Sequence, residues 1–225
     1  MTGARVLLID DERQIHRFLK PALEAAGYAV EQAETAAEGL RLAASRAPDA
    51  VLLDLGLPDQ DGHEVLARLR AFSAVPVIIL SARDREAEKI AALDAGADDY
   101  VEKPFGVGEL LARIRAALRH RLAAQGHDGP FVAGSLEIDF ARRAVRVEGQ
   151  PVTLSPREYA LLDLLARNAG RVMTHRQLLT AVWGPAHTGD VQYLRVYVGH
   201  LRQKLGGAGA KLATEPGVGY RLAED

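Results

Sequence analysis

Cysteine is absent from the 225-residue chain, which excludes disulfides and thiolate-held zinc. Its 7 histidines are scattered without HExxH spacing, so a helix-borne zinc-protease site is excluded as well. Long apolar runs are also missing. No stretch approaches the roughly 18 uncharged apolar residues of a membrane helix, and the most apolar window, residues 72–82, is strand-like and contains Pro76. The N-terminus lacks a basic segment followed by a long apolar one, so no signal peptide is expected and the expected location is cytoplasmic. No GxxxxGK[ST] loop occurs, and neither Gly106-Val107-Gly108 nor Gly217-Val218-Gly219 continues into GxGxxG, which argues against a nucleotide-binding enzyme.

The chain is long for one average domain, and its hydrophobic content of 48% can fill two ordinary cores. The formal net charge of -2 is unevenly spread. Residues 1–125 carry 16 basic and 20 acidic side chains, net -4, and the remainder carries 12 and 10, net +2. An acidic half beside a mildly basic one suggests cation binding in the first and polyanion binding in the second, although +2 alone identifies no nucleic-acid binder.

The first half alternates strand and helix patterns. Apolar runs at 6–9, 29–33, 50–53, 77–80 and 99–102 read as strands, and helical spacing recurs at 15–26, 36–45, 64–71, 87–94 and 109–120. Five strands with intervening helices imply a parallel sheet covered on both faces. Pro21 falls inside the first helix and is expected to bend it. A segment of small and turn residues near 123–130 reads as a linker. After it, Leu136, Ile138 and Phe140 alternate, as do Val145 and Val147, giving antiparallel strands. Ser155 with Glu158, and Thr174 with Gln177, are capping boxes opening two helices; Asp190 is placed to cap a third. A glycine-bearing hairpin at 214–222 completes a winged helix-turn-helix pattern.

The chemistry is concentrated at strand ends. The first strand ends in Asp10 and Asp11, the third in Asp54, the fourth in Ser81 and the fifth in Lys103-Pro104. In an open parallel sheet these ends share one edge, where ligands bind. One acid there is as often a helix cap as a functional group; the joint set is what points to chemistry. A carboxylate attacking a phosphoryl group meets like-charge repulsion, which a divalent ion on neighbouring carboxylates reduces. Mg2+ suits a site of one or two carboxylates, waters and phosphate oxygens, and Lys103 can neutralise the remaining phosphoryl charge. A cis bond before Pro104 would aim that lysine inward.

These residues, with the Pro58 and Gly62 turn, Gly96-Ala97-Asp98-Asp99-Tyr100 and Lys103-Pro104-Phe105, resemble the receiver domain of response regulators. The second half resembles the winged-helix effector of the OmpR/PhoB family, and residues 89–96, 106–110, 182–185 and 193–205 are similar to its potassium-responsive branch. The resemblance implies an α/β receiver over residues 1–121 with a flavodoxin-like sheet of order 2-1-3-4-5, a linker at 122–129 and a DNA-binding winged helix at 130–225. It implies phosphorylation of Asp54 by a sensor histidine kinase, Mg2+ held by Asp10, Asp11 and Asp54, and phosphoryl stabilisation and switching through Lys103, Ser81 and Tyr100. Phosphorylation is expected to draw in Ser81, to let Tyr100 turn inward, and to favour a homodimer. Its intersubunit pairs would be Lys89 with Glu109, Asp94 with Arg115, and Asp99 with Arg113. Promoter DNA with tandem half-sites and RNA polymerase are the further partners. No turnover enzyme is expected beyond self-dephosphorylation.

The third effector helix can be read without the family. Val191, Leu194, Val198, Leu201 and Leu205 line one face and must be core. The opposite face carries Gln192, Tyr193, Val196, Gly199, His200 and Gln203, flanked by Arg195, Tyr197, Arg202 and Lys204. Such a helix suits a major groove, with bases in front and phosphates beside. His200 and Gln203 are the expected base readers, and Arg202 and Lys204 the expected phosphate contacts. Thr214-Glu215-Pro216-Gly217 brings no arginine to the wing, which leaves arginine readout of the minor groove without a candidate there. A phosphatase of the haloacid dehalogenase type would want a second acid two residues after Asp54, where Gly56 stands. A pure interaction adaptor would need no effector domain.

Overall fold

Alternating apolar strands and amphipathic helices build the first of two compact units, which divide at Arg121 and Leu122. The structure, a computed structural model, describes residues 3–82, 86–124 and 130–223. In chain order the first unit contains β1 (Arg5–Ile9), α1 (Arg13–Ala25), β2 (Ala29–Ala33), α2 (Ala36–Arg46) and β3 (Ala50–Asp54). It continues with α3 (Gly62–Phe72), β4 (Val77–Ser81), α4 (Glu86–Asp94), β5 (Asp99–Glu102) and α5 (Val107–Ala124). The sheet is wholly parallel in the order β2-β1-β3-β4-β5. β3 and β4 are buried along their whole length, as continuous apolar strands in a doubly covered sheet must be.

Register decides the function of this sheet. Ile9 pairs with Leu53, Asp54 with Leu80, and Ser81 with Glu102, so the residues that close β1, β3, β4 and β5 lie along one edge. Gly62 serves that edge directly: a Cβ on it would approach the Asp54 carbonyl oxygen to 2.7 Å and the Leu55 Cα to 2.5 Å. Only glycine lets α3 start this close to the end of β3. Asp61 caps α3 through the His63 N–H.

α1 runs unbroken through Pro21, so the expected bend does not interrupt the helix. α5 extends through Ala124, three residues into the linker expected at 122–129; residues 125–129 lie outside the described residues.

The second unit carries β6 (Phe131–Ala133), β7 (Leu136–Asp139), β8 (Ala144–Val147) and β9 (Gln150–Pro151) in one antiparallel sheet. α6 (Pro156–Arg167), β10 (Met173–Thr174), α7 (His175–Trp183), α8 (Val191–Leu205), β11 (Leu212–Glu215) and β12 (Gly219–Leu222) follow. Both capping boxes form as the sequence indicates. Asp190 does precede α8, but its carboxylate accepts from His187 Nδ1 at 2.7 Å and caps no backbone N–H of the helix. Leu194, Val198, Leu201 and Leu205 are buried against Leu161, Leu162, Leu165 and Leu178, so the core face of α8 is the one its spacing indicates. Each such side chain contributes about 1.5–3 kcal/mol of apolar burial.

The closing hairpin β11–β12 is held by β10, which pairs with β12 through Thr174 and Gly219. A Cβ at Gly219 would lie 1.9 Å from the Met173 carbonyl oxygen, so the pairing requires glycine. Gly219→Ala is expected to destabilise the second unit by about 3 kcal/mol. The single tryptophan, Trp183, lies on α7 and reports this transition alone: urea unfolding followed by its fluorescence should shift to lower urea, and an unchanged midpoint would contradict the packing.

Candidate functional site

One ammonium group organises the edge of the parallel sheet. Lys103 Nζ donates to Asp10 Oδ2, Glu12 Oε1 and Asp54 Oδ1, each at 2.9 Å. The Lys103-Pro104 bond is cis, and the Lys103 N–H donates to the Ser81 carbonyl at 2.8 Å. Asp10 is fully buried, and Asp54 and Ser81 are nearly so. The remaining acceptor capacity is used locally: Gly56 N–H donates to Asp54 Oδ2 at 2.6 Å and Glu12 N–H to Asp10 Oδ1 at 2.9 Å. The ring Nε2 of buried His16 lies 2.5 Å from the Asp10 carbonyl oxygen and fixes the turn out of β1.

Three carboxylates share one cation, and the protonation tendencies follow from that imbalance. Burial pushes the Asp10 carboxyl up from its ordinary value; the hydrogen bonds from Lys103 and the Glu12 N–H oppose this, and the neighbouring Asp54 charge adds to it. For Lys103, burial works against the charged form, but the bonds to Asp10, Asp54 and Glu12 outweigh it and the ammonium is held above the ordinary lysine range. The lysine gains from three acids, whereas the acids divide one cation among them.

That surplus of negative charge answers whether a hard cation fits. Asp10 and Asp54 supply two carboxylates already drawn to one positive charge, the oxygen donors that Mg2+ takes. Asp11 is exposed and is not gathered with them: among the described residues no group of three acidic or histidine side chains stands close enough to hold a metal. Lys103 itself draws Asp10, Glu12 and Asp54 together, and Asp11 stands outside that group.

Sequence reading missed Glu12, whose place directly after the Asp10-Asp11 pair was the available signal. It also missed Asp59, which follows Asp54 in the same loop and accepts from the Ala36 and Ala37 N–H groups at 2.8 and 3.0 Å. Those two bonds hold the Asp59 carboxyl below its ordinary value and tie the loop after Asp54 to the start of α2.

Tyr100, the expected switch residue, is buried in this structure. Among the expected dimer residues, Arg113 is engaged within its own chain: it donates to Asp99 Oδ2 at 2.7 Å and to Glu109 Oε1 at 2.8 Å. Burial opposes the charge on Arg113, and the two acids more than restore it. Lys89 and Asp94 lie on α4, and Arg115 on α5.

On α8, Gln192, Tyr193, Arg195, Val196, His200, Gln203 and Lys204 are exposed. Exposure of 64% at Tyr193 and 53% at Val196 is high for such large apolar side chains and marks this face as unlike a core face. Two expected contacts are corrected. Tyr197 packs edge-on against Trp183, with ring centres 5.1 Å apart. Arg202 donates through Nε and Nη2 to the Leu212 carbonyl, at 3.0 and 2.5 Å, and to Thr214 Oγ1 at 2.8 Å. Its planar fork thus ties α8 to β11, a role that a helical wheel cannot distinguish from a phosphate contact. Glu215 is paired with Arg221 at 2.6 Å, which places an internal ion pair beside the wing tip.

The chain matches the family models "Response regulator receiver domain" over residues 6–115 and "Transcriptional regulatory protein, C terminal" over 149–222. It is 52% identical over 220 residues to the KDP operon transcriptional regulatory protein KdpE of Escherichia coli, covering 96% of this chain and 98% of that protein. The transcriptional regulatory protein KdpE of Mycobacterium tuberculosis is 49% identical over 221 residues, with 96% and 98% covered. The solved structure of response regulator DrrB, a Thermotoga maritima OmpR/PhoB homolog, aligns over 99% of this chain and 100% of its own, with 28% identity and a TM-score of 0.50.

Removing the shared ammonium tests the site's electrostatics. Lys103→Ala leaves Asp10 and Asp54 buried with no cation and should destabilise the first unit by about 3 kcal/mol near pH 7 without divalent metal. The Asp10 carboxyl, already pushed up by burial, then loses the Lys103 bond that opposed this, so the penalty is full above its folded pKa and is relieved as pH falls through it. Urea unfolding of both proteins in chelator should show a gap that narrows as the pH is lowered from neutral; a gap independent of pH would contradict the assignment.

Proposed function

Since the chain belongs to the OmpR/PhoB family of two-component response regulators, we propose that it accepts a phosphoryl group on Asp54 and in that form binds promoter DNA through α8. The observation that carries this reading is the convergence of Asp54, Asp10 and Lys103 at 2.9 Å on one sheet edge, in a chain that also contains a transcriptional regulatory domain. The donor is a phosphohistidine of a sensor kinase, KdpD-like by the similarity to KdpE. An Asp54 carboxylate oxygen attacks phosphorus, and the new P–O bond forms as the donor P–N bond breaks. Lys103 faces the added phosphoryl charge, the Gly56 N–H orients the carboxylate, and Ser81 offers its hydroxyl to the new oxygens. Mg2+ held by Asp10 and Asp54, with Asp11 drawn in from its exposed position to complete the set, would lessen the repulsion between acids and phosphoryl group. No residue set for turnover of a separate substrate enters this reading, and self-dephosphorylation is the only hydrolysis it contains.

Phosphorylation is proposed to favour a homodimer through α4, β5 and α5, with Lys89, Asp94, Asp99, Glu109, Arg113 and Arg115 at its face. Arg113 already holds Asp99 and Glu109 within one chain, so dimerisation exchanges these ion pairs and their net contribution is small, about 0 to 1 kcal/mol each. The regulated target is a Kdp-type potassium-uptake operon, as for the KdpE relatives, with RNA polymerase as the downstream partner. Promoter DNA as ligand carries a cytoplasmic location with it. His200 and Gln203 read bases, and Arg195, exposed on the flank, replaces Arg202 as the phosphate cation.

Incubation with a small phosphodonor and Mg2+ should add the mass of one phosphate to the wild type and none to Asp54→Asn; label retained in that variant would overturn the assignment. On DNA, His200→Ala should lose about 1–3 kcal/mol at the preferred site and little on random sequence. Equal losses on both duplexes would remove His200 from base reading.

A further inference from the structure

Two capping boxes in the second unit differ in one respect. In α7 the residue three positions into the helix is Gln177, whose Oε1 accepts from Thr174 N–H at 2.9 Å while Thr174 Oγ1 accepts from Gln177 N–H at 3.1 Å. In α6 the corresponding residue is Glu158, whose Oε2 accepts from Ser155 N–H at 2.7 Å. A neutral amide therefore suffices to close such a box in this fold, and the charge on Glu158 is surplus to capping. That charge is also buried, with only 5% of the side chain exposed, a costly place for an unpaired carboxylate.

The surplus charge is met from α8. Lys204 Nζ donates to Glu158 Oε2 at 2.7 Å, and His200 Nδ1, one turn earlier on the same helix, stands 3.8 Å from Glu158 Oε1. Burial alone would push the Glu158 carboxyl up, but the Lys204 bond and the Ser155 contacts prevail and hold it below its ordinary value. This charge-assisted bond anchors the Lys204 ammonium beside α6 and neutralises it there, so it is a weaker counterion for a DNA phosphate than an unpaired lysine. Sequence-independent affinity grows with the number of phosphates neutralised, so a lysine tied to a buried acid is subtracted from that count.

We propose that Glu158 is a specificity-determining residue for DNA: its charge clamps Lys204 against α6 and withholds that ammonium from phosphate, which lowers binding to random sequence while His200 remains on the reading face. The inference rests on α8 being the base-reading helix.

The test compares full-length wild type, Glu158→Gln, Lys204→Ala and the double variant on two duplexes, one of random sequence and one selected from a random library by the wild type. Glu158→Gln keeps the cap and frees Lys204. Its random-duplex salt dependence should steepen by about 0.9, one phosphate, so between about 50 and 200 mM salt its affinity falls about 3.5-fold further than that of the wild type. Its preference for the selected duplex should fall. Lys204→Ala should leave the random-duplex slope of the wild type unchanged and abolish the steepening in the double variant. A Glu158→Gln slope equal to that of the wild type, or steepening that persists in the double variant, overturns the proposal. If Glu158→Gln does not fold by Trp183 fluorescence, Lys204→Ala decides: a shallower slope on random DNA shows Lys204 already on phosphate and overturns it. His200→Ala separates the two readings. If it loses its preference for the selected duplex while Glu158→Gln behaves as wild type, α8 reads DNA and only the clamp fails; if neither variant changes binding, both readings fail.

Discussion

The Lys103 ammonium, shared by Asp10, Glu12 and Asp54, is the contact on which the chemistry of the first unit depends. It joins the end of β5 to the ends of β1 and β3, residues separated by 93 and 49 positions in sequence. Without a cation there, two buried carboxylates would face each other in a poorly solvated edge, and the Asp10 carboxyl, already pushed up by burial and by the Asp54 charge, would lose the bond that opposes this. With it, Asp54 stays beside a positive charge that a phosphoryl group can use. The excess of acid over base at this edge leaves negative charge that a second, hard cation would balance.

The surrounding fold serves this contact by fixing distance. Parallel register lines up the ends of four strands, Gly62 lets α3 begin against the Asp54 backbone, and the carboxylate of Asp59 ties the same loop to α2. The second unit applies the same economy to α8. Its apolar face is buried, Arg202 is committed to β11, Lys204 is committed to Glu158, and the polar residues left exposed form a narrow strip. On the proposed reading, a mildly basic domain whose flanking cations are partly tied down would bind DNA less in general and rely more on what that strip reads.

Much of this was legible in the sequence because the signals are local or sit at strand ends. The apolar runs announce β1, β3 and β4, and each ends in a residue of unusual chemistry. The capping boxes at Ser155 and Thr174 are readable within four residues, and both form. The short strands β6, β9 and β10, of two or three residues, carry too little periodicity to be seen. Roles that depend on a packing partner were also hidden. A helical wheel places Arg202, Lys204 and Tyr197 on the flanks of α8, but what stands across from them is supplied by other elements, β11, α6 and α7, which the wheel of one helix does not contain. Arg113 and Asp99 were legible as complementary charges, and only the fold shows that they meet inside one chain.

The central claim is that charge added at Asp54 changes what α8 does on DNA. It is tested most directly by the affinity of the full-length protein for its selected duplex at fixed salt, before and after treatment with a small phosphodonor and Mg2+, in wild type and in Asp54→Asn. The account predicts tighter binding after treatment in the wild type and no change in the variant. Equal affinity before and after treatment in the wild type, or the same gain in Asp54→Asn, would contradict it.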